Sequence, residues 1–113
     1  MHEMALAESV VQIVAEQAAK AGAEAIKTVW IEIGELSHVE PEAMRFCFEA
    51  VAKDTRAEGA TLEIIRAPGK AWCHKCADHV HVKSLVEACP KCGGYQLQVT
   101  GGDDMRVKEM EVT

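Results

Sequence analysis

The stretch Cys73-His-Lys-Cys76, twelve residues, then Cys89-Pro-Lys-Cys92-Gly93-Gly94 decides how the last third of this chain folds. Each C-x-x-C places two thiolates on one tight turn, aimed at one point. Two such turns facing each other supply four sulfurs in a tetrahedron, the donor set that structural zinc takes. The intervening segment has no space for a hydrophobic core of its own, so metal binding must provide the local folding energy. Gly93 and Gly94 suit the sharp turn after the second pair, and Pro90 stiffens it. Two disulfides would require an oxidising compartment. A thioredoxin-like redox site uses a single C-x-x-C at a strand-to-helix junction. Iron in a four-sulfur site uses the same ligands as zinc, and ligand identity alone does not separate the two.

Outward from the cysteines, the chain reads as alternating helix and strand. Residues 4–21 predict an amphipathic helix, with Leu6, Val10, Ile13, Val14 and Gln17 or Ala18 on one face and Gly22 as the stop. Residues 26–33 predict a strand in which Val29, Ile31 and Ile33 share a face. Pro41 opens a second helix with Met44, Cys47, Phe48 and Val51 as its apolar stripe. A lone cysteine on such a stripe is a small core hydrophobe rather than a ligand. Thr61 to Arg66 predicts a second strand, and Met105 to Val112 a last one. The apolar rhythm of that last strand slips near Lys108, as a β-bulge would cause. Between them, His79-Val-His-Val-Lys and Gln96-Leu-Gln-Val-Thr are short alternating stretches expected to pair as the strands of a ribbon. The fold class is therefore α+β: two helices packed on a small three-stranded sheet, with an inserted zinc-ribbon-like module. The expected domains are 1–68, completed by the C-terminal strand in 101–113, and a zinc-binding domain, 69–100, inserted before that strand.

The 113 residues are 49% apolar with a net charge of −6, enough for one packed unit and a small appendage. No apolar run of membrane-spanning length exists. The acidic N-terminus lacks a basic n-region, so a reducing cytoplasm is the expected compartment. The zinc segment is near neutral once its thiolates bind metal. No basic face stands out, which argues against nucleic acid as a partner. No nucleophile–base pairing, phosphate-binding loop or GTPase motif is visible, so no enzyme activity is expected.

The chain opens Met1-His2-Glu3. The α-amine, the His2 backbone nitrogen and the His2 imidazole form adjoining five- and six-membered chelate rings. The Glu3 amide nitrogen is the candidate fourth donor, and a square of nitrogens favours Ni(II) or Cu(II) over zinc. Such binding needs Met1 retained and unblocked, and it releases protons. A histidine at position two is otherwise an exposed chain end. Glu40 is placed to orient His2 by a hydrogen bond or, equally, to serve as an acid at a helix N-terminus. His38 reads as an exposed loop residue. His74, His79 and His81 read as solvated neighbours of the thiolates, with replacement of a cysteine under acid or nickel load as the alternative.

Met1-His2-Glu3-Met4, the run Trp30-Ile-Glu-Ile-Gly34-Glu-Leu-Ser37, Pro41 through Phe46 and Phe48, and the four-cysteine spacing together resemble the HypA/HybF family of hydrogenase-maturation nickel chaperones. The resemblance covers the whole chain, and no motif position departs from it. It implies Ni(II) as transient cargo on Met1, His2 and Glu3, with Zn(II) as a structural ion on Cys73, Cys76, Cys89 and Cys92. It also implies work beside a GTP-hydrolysing nickel accessory protein and delivery to the large subunit of [NiFe] hydrogenase. In some organisms urease accessory proteins are served as well. The competing class is a zinc-ribbon adaptor with no nickel role, for which His2 would be dispensable.

Overall fold

The computed structural model describes residues 2–113, with side chains from Glu3 onward. The element order is α1 (His2–Lys20), β1 (Ile26–Gly34), α2 (Pro41–Ala52), β2 (Thr61–Ala67), β3 (Lys70–Cys73), β4 (Asp78–His81), β5 (Leu97–Gly101) and β6 (Met105–Val112). Two helices and two small sheets make an α+β fold. Among the described residues no helix is long and apolar enough to cross a membrane. The chain divides into two compact units. The first holds Met1–Glu32, Val39–Ile65 and Arg106–Thr113, and the second holds Ile33–His38 and Arg66–Met105.

In the first unit α1 packs against α2. The buried face of α1 is Ala7, Val10, Val11, Val14 and Ala18. That is an i, i+3, i+4, i+7, i+11 stripe. The expected face is therefore rotated: Ile13 is 47% exposed, while the small Ala7 and Val11 lie inside. Small residues on that stripe let the helix approach its neighbour closely. The helix closes with the Gly22 N–H on Ala19 O and the Ala23 N–H on Ala18 O, so the last carbonyls keep partners. Helix α2 buries Met44, Cys47, Phe48 and Ala52, and Val51 is only partly covered. Cys47 is thus a core residue, as its stripe predicts.

The first sheet has the order β2-β1-β6. Strand β1 is central, which is why Val29, Ile31 and Ile33 are all fully buried. In β6 the half-buried residues are Met105, Val107 and Met110, with Lys108 and Glu109 successively exposed, so the slip in rhythm is present as a change of facing.

The second sheet has the order β4-β3-β5, both pairings antiparallel. This corrects the expected ribbon. The two alternating stretches do not pair with each other; Lys70–Cys73 runs between them. Trp72 stands opposite His79 in β4 and opposite Gln98 in β5. Ala71 and Cys73 are fully buried, as residues of a central strand are. The core of this unit is small: Leu36, Ala71, Cys73, Val80, Val82 and Cys89, flanked by Cys76, Cys92, Leu97 and Val99. Its backbone segments meet at contact distance. A methyl group on Gly34 would fall 2.2 Å from the Gly102 carbonyl oxygen, so only glycine fits there. The Gly34 N–H donates to Asp104 O and the Leu36 N–H to Gly102 O, which closes that crossing.

Candidate metal centre

The two C-x-x-C turns are built alike. Cys73 ends β3, the Cys76 N–H donates to its sulfur at 3.4 Å, and the Ala77 N–H returns to its carbonyl at 2.8 Å. In the second turn the Lys91 N–H donates to the Cys89 sulfur at 3.4 Å, and the Gly93 N–H returns to the Cys89 carbonyl at 2.8 Å. The residue after each second cysteine takes the left-handed conformation: Ala77 at φ 53° and Gly93 at φ 74°. Glycine adopts it freely, whereas alanine does so at a cost of about 1–2 kcal/mol. Backbone amides directed at sulfur favour the thiolate form.

The turns bring four sulfurs together. Cys73 Sγ lies 3.7 Å from Cys92 Sγ, and Cys76 Sγ lies 3.9 Å from Cys89 Sγ. All four lie within 4.8 Å of one another. Sulfurs at about 2.3 Å from one tetrahedral zinc are about 3.8 Å apart. A disulfide would hold them at about 2.05 Å, and all five cysteines are free. The residues therefore fit a structural zinc ion. Among the described residues this is the one cluster of three or more metal-ligating side chains in mutual reach.

The charge problem within the cluster points the same way. Cys89 is lowered to about 7, first by the Cys92 backbone N–H, against burial, with the Lys91 N–H helping. Cys76 is pushed up to about 12, first by its hydrogen bond with the Cys92 thiol and then by burial. One thiolate forms readily at Cys89, and Cys76 then holds its proton. Four thiolates coexist here only around a cation, so metal uptake must expel protons. Lys91, inside the second turn, pairs with Asp78 just beyond the first, with Nζ and Oδ2 2.5 Å apart. That pair holds the Asp78 carboxyl below its ordinary range and raises Lys91. It braces one turn against the other, and nothing in the spacing announced it.

The N-terminal constellation is placed differently. Met1 and the His2 side chain lie outside the described residues. The backbone of α1 starts at His2. The Glu3 carboxylate oxygen Oε2 accepts the Glu40 N–H at 3.5 Å. The Glu40 carboxylate itself accepts the Ala43 N–H at 2.7 Å, as the N-cap of α2. Glu40 is thus seen as a helix cap, with its own backbone against Glu3; its expected contact with His2 lies outside the described residues. His74 is exposed beside the first turn. His79 and His81 face outward from β4, and His81 Nε2 meets Glu35 Oε1 at 2.8 Å.

The family model described as hydrogenase/urease nickel incorporation, metallochaperone, hypA, matches residues 1–112. The chain belongs to the HypA family. A hydrogenase maturation factor HypA of Bradyrhizobium sp. (strain ORS 278) is 59% identical over 112 residues, 99% of each chain. One from Rhodopseudomonas palustris (strain BisA53) is 57% identical over the same span. The solution structure of the Ni metallochaperone HypA from Helicobacter pylori superposes with a TM-score of 0.70 at 25% identity, covering 97% of this chain and 96% of that one. The chain is thus a nickel metallochaperone of the HypA family acting in hydrogenase maturation, and its cysteine cluster fits a structural zinc site.

Proposed function

We propose that this HypA chain carries Ni(II) on its first three residues and keeps Zn(II) on Cys73, Cys76, Cys89 and Cys92 as a structural ion. The Met1 amine, the His2 backbone nitrogen and imidazole, and the Glu3 backbone nitrogen are the nickel donors. The start of α1 at His2 carries this reading. The first backbone N–H groups of a helix have no acceptor within it. An amide nitrogen there can release its proton to solvent and bind the metal in its place without breaking a helical hydrogen bond. The positive end of the helix dipole favours the deprotonated form. Glu3 and Glu40, joined through the Glu40 N–H, add two carboxylates to this unit, which favours a cation. A planar ion at a chain end keeps both axial faces open to a partner's ligands, so release requires no unfolding.

In this reading residues 1–68 with 101–113 form the nickel-binding domain, and 69–100 form the zinc-binding domain. The chain catalyses no reaction; the energy for transfer comes from a GTP-hydrolysing nickel accessory protein. The recipient is the large subunit of [NiFe] hydrogenase, in the cytoplasm, and urease accessory proteins are a second outlet. The test is Ni(II) titration of the tag-free protein beside His2→Ala, with zinc assayed in both. The reading requires one yellow, diamagnetic nickel in wild type, lost in the variant while zinc stays. Equal nickel binding by both proteins would instead favour a zinc-ribbon adaptor.

A further inference from the structure

We propose a second, weak transition-metal site on the outer face of the β4-β3-β5 sheet, formed by His79, His81 and Glu35. Strand β4 is an edge strand with Val80 buried, so its neighbours His79 and His81 both point outward on one face. They line a concavity of about 500 Å³ with Lys70, Thr100 and the Pro68–Gly69 turn. His81 also lines an adjoining hollow of about 370 Å³ with Glu35 and Arg66. His79 meets Trp72 edge-to-face at 5.0 Å between ring centroids. Glu35 Oε1 receives both the Gly69 N–H at 3.0 Å and His81 Nε2 at 2.8 Å.

Two ligand atoms about 2.1 Å from one ion, at angles of 90–110°, are about 3.0–3.4 Å apart. The His81–Glu35 pair needs to open by only a few tenths of an ångström to hold a metal where it now shares a proton. The imidazole then carries its proton on Nδ1, with no net proton lost from the neutral ring. His79, two residues away on the same face, is not within ligand reach of that pair as it stands, and it supplies the third donor by rotating away from its edge-to-face contact with Trp72. Two imidazoles and a carboxylate suit Ni(II), Zn(II) or Cu(II), with water in the open positions. Lys70, Arg66 and Lys83 lie nearby and oppose a cation. The site is therefore weak and exchanges quickly, as a transient holding position for cargo would.

The test uses tag-free, zinc-loaded His2→Ala protein titrated with Ni(II) alone and followed by NMR. A nitrogen-and-oxygen site with water ligands gives high-spin, paramagnetic nickel, unlike a planar diamagnetic site at the terminus, so the two sites report separately. The expected result is selective broadening of His79, Val80 and His81. His81→Gln or His79→Gln should each weaken binding by about 10–100-fold, the range for disturbed ligation. Lys70→Gln should tighten it. Zinc content and the amide shifts of the rest of the second unit check that the variants fold. Broadening that survives both histidine changes, or that falls equally on exposed His38 and His74, overturns the proposal. Loss of the diamagnetic nickel in His2→Ala bears only on the terminal site.

Discussion

Removing zinc should unfold the second unit and leave the first intact. Outside the cysteines, the second unit's core contains Leu36, Ala71, Val80 and Val82. Burying Leu36, Val80 and Val82 contributes about 1.5–3 kcal/mol each. A structural zinc contributes about 10–16 kcal/mol at neutral pH, more than those three side chains together. Without the ion, close-packed thiols at Cys73, Cys76, Cys89 and Cys92 replace bonded thiolates. The first unit keeps its own core, with Phe48 and Met44 buried and Cys47 only 5% exposed. The thiols provide the assay. After chelation, a chromogenic disulfide reagent should react quickly with four thiols and slowly with a fifth, Cys47. Helical circular dichroism should persist while Trp72 fluorescence shifts. Holding the second-unit amide shifts unchanged in zinc-free protein, or five thiols reacting at one rate, would refute the argument.

Glu40→Ala should destabilise the first unit by about 1 kcal/mol, because the Ala43 N–H loses its acceptor; the readout is a midpoint several degrees lower in thermal melts. Glu35 is held below its ordinary range first by the Gly69 N–H and then by His81. A carboxyl lowered on folding stabilises above its unfolded value and loses that contribution as pH falls through the folded one. Wild type should therefore outlast Glu35→Gln in denaturant at pH 6–7, and the gap should close below about pH 4.5. Ala77→Gly relieves a left-handed alanine at φ 53°. The relief of about 1–2 kcal/mol is offset by roughly 0.5–1 kcal/mol of unfolded-chain entropy, so zinc retention against a chelator should rise slightly.

The cysteine spacing was enough to bring four sulfurs together, because C-x-x-C geometry is local and repeats. Strand β1 was legible for a similar reason: Val29, Ile31 and Ile33 alternate without interruption. Lys70–Cys73 was not legible, because four residues with a lysine, a tryptophan and a metal ligand carry no period. Its central position comes from Ala71, whose burial is a tertiary fact. Ile13 misled the reading of α1, since hydrophobicity outranked size when the face was chosen, whereas close helix packing selected Ala7 and Val11. The contacts of Glu35 with His81 and of Asp78 with Lys91 join residues far apart in the chain, and nothing local marks them. The proposed terminal donors rest on chelate chemistry alone, since rings closed by an amine, an amide and an imidazole need no fold.

A chain that handles nickel while holding zinc must keep the two ions from exchanging, and the sulfur geometry supplies the means. A plane of four sulfurs at the same bond length would place neighbours about 3.3 Å apart and opposite pairs about 4.6 Å. The pairs at 3.7 and 3.9 Å match neither. Flattening the site would pull Cys73 out of its central strand and break the N–H contacts to both sulfurs. Nickel gains from a square of donors, and zinc has no such electronic preference. The first unit has seven Lys and Arg against thirteen Asp and Glu, and the second has five of each. The acidic surplus therefore lies with the unit that contains the terminus, where attraction for a divalent cation is useful. Excess Ni(II) added to zinc-loaded protein should leave zinc content at one per chain over hours. Thiolate-to-nickel charge-transfer absorption should stay absent. Displacement of zinc by nickel at neutral pH would show that the cluster is pliant, and that the tetrahedral arrangement does not discriminate between the two ions.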